Sequence, residues 1–115
     1  MILIVEDNEI NAMIFESYIQ ELGIGTDIAE NGQIALEKIK FLLPSLILMD
    51  IHMPIMNGLD TIQNIRKLGI TLPIIAISAS TNNGEEEKAL SLGADAFVSK
   101  PVHGSFLKNL IKKYL

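Results

Sequence analysis

Leu46-Ile47-Leu48-Met49-Asp50-Ile51-His52-Met53-Pro54-Ile55-Met56-Asn57-Gly58 is the stretch that decides how this chain folds. Its first four residues are apolar without a break, and the run stops on Asp50. An unbroken apolar run of this length reads as a strand covered on both faces, the form strands take in a parallel sheet. Three other runs end in the same way. Met1–Val5 stops at Glu6-Asp7, Ile74–Ile77 at Ser78, and Ala96–Ser99 at Lys100. Open parallel sheets bind their ligands outside the carboxyl ends of the strands. The polar stops therefore predict one pocket holding three carboxylates, a hydroxyl and an ammonium.

Between these runs the pattern turns helical. Asn8 caps a helix running to about Leu22, with Ile10, Ile14 and Tyr18 as its apolar stripe, and Gly23 ends it. Ile24 to Ala29 is a weaker strand, broken by Gly25 and Asp27, and belongs at a sheet edge. Asn31-Gly32 opens a second helix with Ala35, Leu36 and Ile39 inward, closed by Pro44. Asn57-Gly58 opens a third, striped by Leu59, Ile62, Ile65 and Leu68. A fourth starts near Asn83, where Glu85-Glu86-Glu87 suits the positive end of the helix dipole. A fifth carries Phe106, Leu107, Leu110, Ile111 and Tyr114. Alternation of this kind is the pattern of a doubly wound α/β domain, with strands in the usual order 2-1-3-4-5 and helices on both faces. No repeat or linker interrupts it, so residues 1–115 read as one domain.

Composition narrows the function. The 115 residues are 49% hydrophobic, which fits a packed core and not disorder. Cysteine is absent, so disulfides and thiolate metal sites are excluded. A net charge of −5 disfavours direct binding to nucleic acid. No apolar stretch approaches the roughly 18 residues of a membrane helix, so this domain is not expected to touch a membrane. The first run meets Glu6 and Asp7 too soon for a secretory signal. The cytoplasm is the default expectation, including the cytoplasmic part of a membrane-bound sensor.

Three carboxylates in one pocket repel by about 1 to 4 kcal/mol per close pair at surface-like dielectric. Such a cluster must take up protons or a cation. A hard divalent ion, Mg²⁺ or Mn²⁺, suits few carboxylates, several waters and a phosphoryl oxygen. Either acid of Glu6-Asp7 alone would read as a helix cap. Three acids at strand ends favour the metal site.

The segment Met49 to Gly58 resembles the phosphoacceptor loop of response-regulator receiver domains, in which a strand-end Asp is followed by Met-Pro and Asn-Gly or Asp-Gly. The likeness spans the chain. Val5-Glu6-Asp7-Asn8 is similar to the family's acidic pair, Ile77-Ser78-Ala79 to its hydroxyl position, and Ala96-Phe97-Val98-Ser99-Lys100-Pro101 to its aromatic and Lys-Pro. The resemblance implies a flavodoxin-like (βα)5 fold and a phosphoacceptor role in a two-component phosphorelay. By that resemblance Asp50 takes a phosphoryl group from a phosphohistidine. Asp7, Asp50 and the backbone carbonyl of His52 hold the ion, and Glu6 orients Asp7 or a water on the ion. Lys100 pairs with Asp50 at rest and with phosphoryl oxygens afterwards, and Ser78 donates to one of these oxygens. Ser78 and Phe97 form the switch. Ala79 keeps the approach open, while His52 and Ser80 modulate hydrolysis. Lys100-Pro101 is a candidate cis peptide that would aim the ammonium inward.

Such a domain assists its own phosphorylation and dephosphorylation and is not a classical enzyme. Its implied partners are a histidine kinase or a histidine phosphotransfer protein, docking on the first helix around Glu9, Glu16 and Gln20. A homodimer would use the fourth helix, fifth strand and fifth helix. Val5-Glu6-Asp7-Asn8 with Asn11 is most like receivers of hybrid sensor histidine kinases; a single-domain regulator acting by docking is the alternative. A flavodoxin would need a phosphate-cradling loop where Glu6-Asp7-Asn8 stands. A small phosphatase that forms an aspartyl phosphate usually has a second Asp where His52 stands. A receiver-type module that is never phosphorylated usually lacks one of the five site groups, all of which are present here.

Overall fold

In the computed structural model, which describes residues 1–79 and 83–115 (for Asn83 the backbone alone), strands and helices alternate from end to end. The order is β1 (Ile2–Val5), α1 (Glu9–Gln20), β2 (Thr26–Ala29), α2 (Gly32–Ile39), β3 (Leu46–Asp50), α3 (Gly58–Lys67), β4 (Ile74–Ser78), α4 (Asn83–Leu92), β5 (Ala96–Ser99) and α5 (Gly104–Tyr114). All strand pairs are parallel, in the order β2-β1-β3-β4-β5. This is the expected flavodoxin-like arrangement. The expected edge strand, β2, lies at one end of the sheet and, among the described residues, pairs with β1.

The apolar runs are continuous because both sheet faces are covered. Side chains alternate across a strand, so each run feeds two cores. Leu3, Val5, Ile47, Met49, Ile74 and Ala76 pack with α2, α3 and α4. Ile2, Ile4, Leu46, Leu48, Ile75 and Ile77 pack with α1 and α5. The helix caps are as expected at three starts. Asn8, Asn31 and Asn57 accept backbone N–H bonds from Asn11, Ile34 and Asp60 at 3.0, 2.9 and 2.9 Å.

The apolar faces of the helices are corrected in places. On α1 the buried residues are Ala12, Phe15 and Ile19, while Ile10 and Ile14 face out together with Met13. Two overlapping stripes on this helix satisfy helical spacing. The sheet takes the one with small Ala12, which lets the helix approach closely, and Phe15 fills the space beside it. The exposed side of α1 is thus more apolar than expected. Glu16 turns inward to accept the Thr26 hydroxyl at 2.7 Å. Leu68 is also exposed, because it caps the end of α3 instead of continuing its stripe. On α5, Leu107 and Ile111 are buried but Phe106 is exposed.

The loop from Asp50 to Gly58 is tightly constrained. Gly58 N–H donates to the Ile51 carbonyl at 2.8 Å, folding the start of α3 back onto the end of β3. A β-carbon at Gly58 would lie 2.3 Å from the Asp50 carbonyl oxygen. Ile55 has φ of +71° and is exposed. That is a left-handed conformation which a β-branched residue rarely adopts. Gly58→Ala is expected to destabilise the fold by about 3 kcal/mol, because backbone must move to admit the methyl. Ile55→Gly should stabilise it by about 1 kcal/mol. Urea unfolding of both variants checks this, and equal midpoints would refute the account of this loop.

Candidate functional site

Sheet order and register assemble the site. β1 and β3 are neighbours with Val5 beside Met49, so Glu6 comes to lie next to Asp50, the last residue of β3. On the other side of β3, Ser78 ends β4. Lys100 follows β5, and its backbone N–H donates to the Ser78 carbonyl at 2.8 Å. One carboxylate oxygen each from Glu6, Asp7 and Asp50 lie within 4.8 Å of one another. Lys100 Nζ is 3.3 Å from Glu6 Oε1 and 3.6 Å from Asp50 Oδ1. The expected pairing with Asp50 is therefore shared, with Glu6 the nearer partner. The Lys100-Pro101 bond is cis.

Glu6 and Asp50 are buried and Asp7 is exposed, so the cluster opens to solvent on the Asp7 side. Burial pushes the Glu6 carboxyl up to about 7 from 4.5, and the hydrogen bond and negative charge of Asp50 push the same way. Lys100 and the Asn8 N–H, 3.3 Å from Oε2, pull in the opposite direction but do not prevail. The donors are all hard oxygens, and burial with the nearby Asp50 raises the proton affinity of one of them, Glu6. That donor set fits a hard divalent cation and not a soft metal.

The remaining expected residues are placed less uniformly. Ser78 is fully buried, and its hydroxyl donates to Glu85 Oε1 in the first turn of α4. His52 lies in the loop after Asp50 and is largely exposed. Its Nε2 is 3.0 Å from Glu85 Oε2. Phe97 is half-buried against the core beneath α3 and α4. Ala79 and Pro101 are exposed. Ser80 lies outside the described residues. Sequence reasoning missed Glu85, which it treated only as favourable charge at a helix start. Its two partners are 7 and 33 positions away, a pairing that no helical or strand period brings out.

A family model for the response regulator receiver domain matches residues 2–112. The chain is 45% identical over 98% of its length to hybrid signal transduction histidine kinase G of Dictyostelium discoideum, of which it spans 3%. It is 34% identical over 98% of its length to two-component response regulator ORR41 of rice (Oryza sativa subsp. japonica), of which it spans 92%. The signal receiver domain of a signal transduction histidine kinase from Syntrophus aciditrophicus superposes with a TM-score of 0.90 at 30% identity, covering 99% of this chain and 88% of that one. The chain belongs to the response regulator receiver family. It is a receiver domain of two-component phosphorelay systems, and receiver domains bind Mg²⁺ at an acidic pocket of this kind.

The raised Glu6 carboxyl makes stability depend on pH. Between 4.5 and 7 the folded state keeps a proton that the unfolded chain gives up. This group's contribution is therefore fully present below pH 4.5, falls as pH rises, and is gone above about 7. The loss amounts to about 3 kcal/mol at most. Urea unfolding in metal-free buffer across this range should show the decline, and Asp50→Asn should make it shallower without abolishing it. A slope identical in both proteins would overturn the coupling.

Proposed function

We propose that Asp50 is the phosphoacceptor, and that the chain passes a phosphoryl group between a phosphohistidine partner and this carboxylate. The observation that carries the reading is the convergence of Glu6, Asp7 and Asp50 with Lys100 reaching over Asp50. Transfer needs alignment and charge neutralisation more than covalent chemistry from the protein. An Asp50 oxygen attacks phosphorus as the phosphorus–nitrogen bond breaks. The protonated phosphohistidine ring leaves as neutral imidazole, and an acyl phosphate remains. Lys100 follows the charge from the carboxylate to the phosphoryl oxygens. Ser78 donates to one of those oxygens. Phe97 moves inward as Ser78 shifts, biasing the face formed by α4, β5 and α5, through which a homodimer would form. His52, Ala79, Ser80 and Pro101 adjust the approach to Asp50 and hydrolysis there.

Asp7, Asp50 and the His52 carbonyl would hold Mg²⁺ or Mn²⁺, with Glu6 behind them. The ion supplies charge neutralisation for the carboxylates and the incoming oxygens. The small-phosphatase alternative is not favoured, since His52 stands where a second acid would be needed and the relatives are kinases and regulators.

A hybrid sensor kinase is the setting we favour, on the 45% identity to such a kinase. The near-complete span of the rice regulator supports a single-domain protein as the second reading. In either setting the outer face of α1, with Ile10, Met13 and Ile14 exposed, is the assigned docking surface for the phosphotransfer partner.

Intact mass after incubation with acetyl phosphate and Mg²⁺ should show one phosphoryl adduct. Asp50→Ala and chelator should abolish it, and Lys100→Ala should slow it by about a hundredfold. An adduct that survives Asp50→Ala would remove the assignment. Met13→Glu should slow transfer from a histidine phosphotransfer protein by about tenfold while leaving the acetyl phosphate rate unchanged. Equal slowing with both donors would rule out a docking role.

A further inference from the structure

We infer that Glu85 is a positioning residue that holds the Ser78 hydroxyl in reserve and competes with the phosphoryl group for its proton. The inference rests on Asp50 as the acceptor. It starts from proton inventory: a serine hydroxyl has one hydrogen to donate. In this structure that hydrogen goes to Glu85 Oε1. Ser78 is fully buried at the end of β4, so water cannot freely take the place of a lost partner. Donation to Glu85 and donation to a phosphoryl oxygen on Asp50 exclude each other.

Glu85 is built for this position, unlike its neighbours. Its side chain is only 11% exposed, whereas Glu86 and Glu87 are exposed on the same turn of α4. Its carboxylate also meets His52 Nε2, at 3.2 Å from Oε1 and 3.0 Å from Oε2. One side chain of α4 thus joins the strand β4 that carries Ser78 to the loop that follows Asp50. Further along the helix, Ala89 is locked in the core. Among the described residues, α4 is tied to the site in its first turn, through Glu85. When a phosphoryl group claims the Ser78 proton, Glu85 loses its buried donor, and two like charges then face the same hydroxyl. The first turn of α4 must readjust. Glu85 therefore sets how readily Asp50 is phosphorylated and conveys that event to the helix.

The test follows Asp50 phosphorylation by acetyl phosphate with Mg²⁺, read by intact mass, in wild type, Glu85→Ala, Glu85→Gln, Ser78→Ala and the Glu85→Ala/Ser78→Ala double variant. Loss of a charge-assisted acceptor should speed adduct formation about five- to tenfold in Glu85→Ala. Glu85→Gln, which keeps a neutral acceptor oxygen, should fall between Glu85→Ala and wild type. Removing Glu85 in the Ser78→Ala background should change the rate by less than about twofold, because the contested proton is gone. A merely structural role would give the same acceleration in both backgrounds, and that result overturns the inference. So does a Glu85→Ala rate equal to wild type. Should Glu85→Ala melt early, isosteric Glu85→Gln carries the comparison, and a rate equal to wild type is again decisive against it. No adduct on wild-type Asp50 overturns the acceptor reading itself. An adduct on Asp50 that ignores Glu85 overturns this inference alone.

Discussion

Carboxylates from two neighbouring strand ends are forced within 4.8 Å of one another, and the Lys100 ammonium that answers them stands 3.3 Å from one and 3.6 Å from another. Parallel pairing makes this crowding unavoidable. Once β1 lies beside β3 in the observed register, the residue after Val5 must sit next to the residue after Met49. The sheet's own hydrogen bonds and its two apolar cores hold the charges together against their repulsion. Part of the repulsion is relieved by keeping a proton on Glu6 up to about pH 7. Above that pH the crowded carboxylates lose this relief, and a cation bound among them would supply it instead.

Much of this is legible in the amino-acid sequence itself. The continuous apolar runs marked buried parallel strands, and their polar stops marked the site edge, because the period of a strand is short and both faces here are covered. The three asparagine caps were equally plain, since the side chain and the amide it meets are three positions apart. Helix orientation was less so. On α1, Ile10, Ile14 and Tyr18 match helical spacing as well as Ala12, Phe15 and Ile19 do. Only the distance between helix and sheet chooses between them, and that distance is a tertiary quantity. Ile10 and Ile14 are left outside, while Tyr18 still packs partly against the core.

The loop after Asp50 shows why its residue types are needed. Met53 is half-buried against the core of α2 and α3, and Gly58 leaves room for the Asp50 carbonyl. Together they fold the start of α3 tightly over the end of β3, which fixes where Asp50 can point. Ile55 is exposed and in a left-handed conformation, so the tight turn is held against its own preference. Packing on both sides of the turn supplies what Ile55 lacks.

Glu85 stayed hidden in the sequence for a physical reason. Acids in the first turn of a helix are favoured by the dipole, so three in a row announce nothing about which one turns inward. The choice depends on the close of β4 bringing a buried hydroxyl under α4, and on the Asp50 loop bringing His52 to the same carboxylate. A helix tied to a site through one side chain, and anchored elsewhere by apolar packing, can shift its first turn without unpacking its core. Among the described residues, α4 meets both conditions through Glu85 and Ala89. If Asp50 is phosphorylated as proposed, Glu85 offers that change of charge a route to α4 through side chains alone.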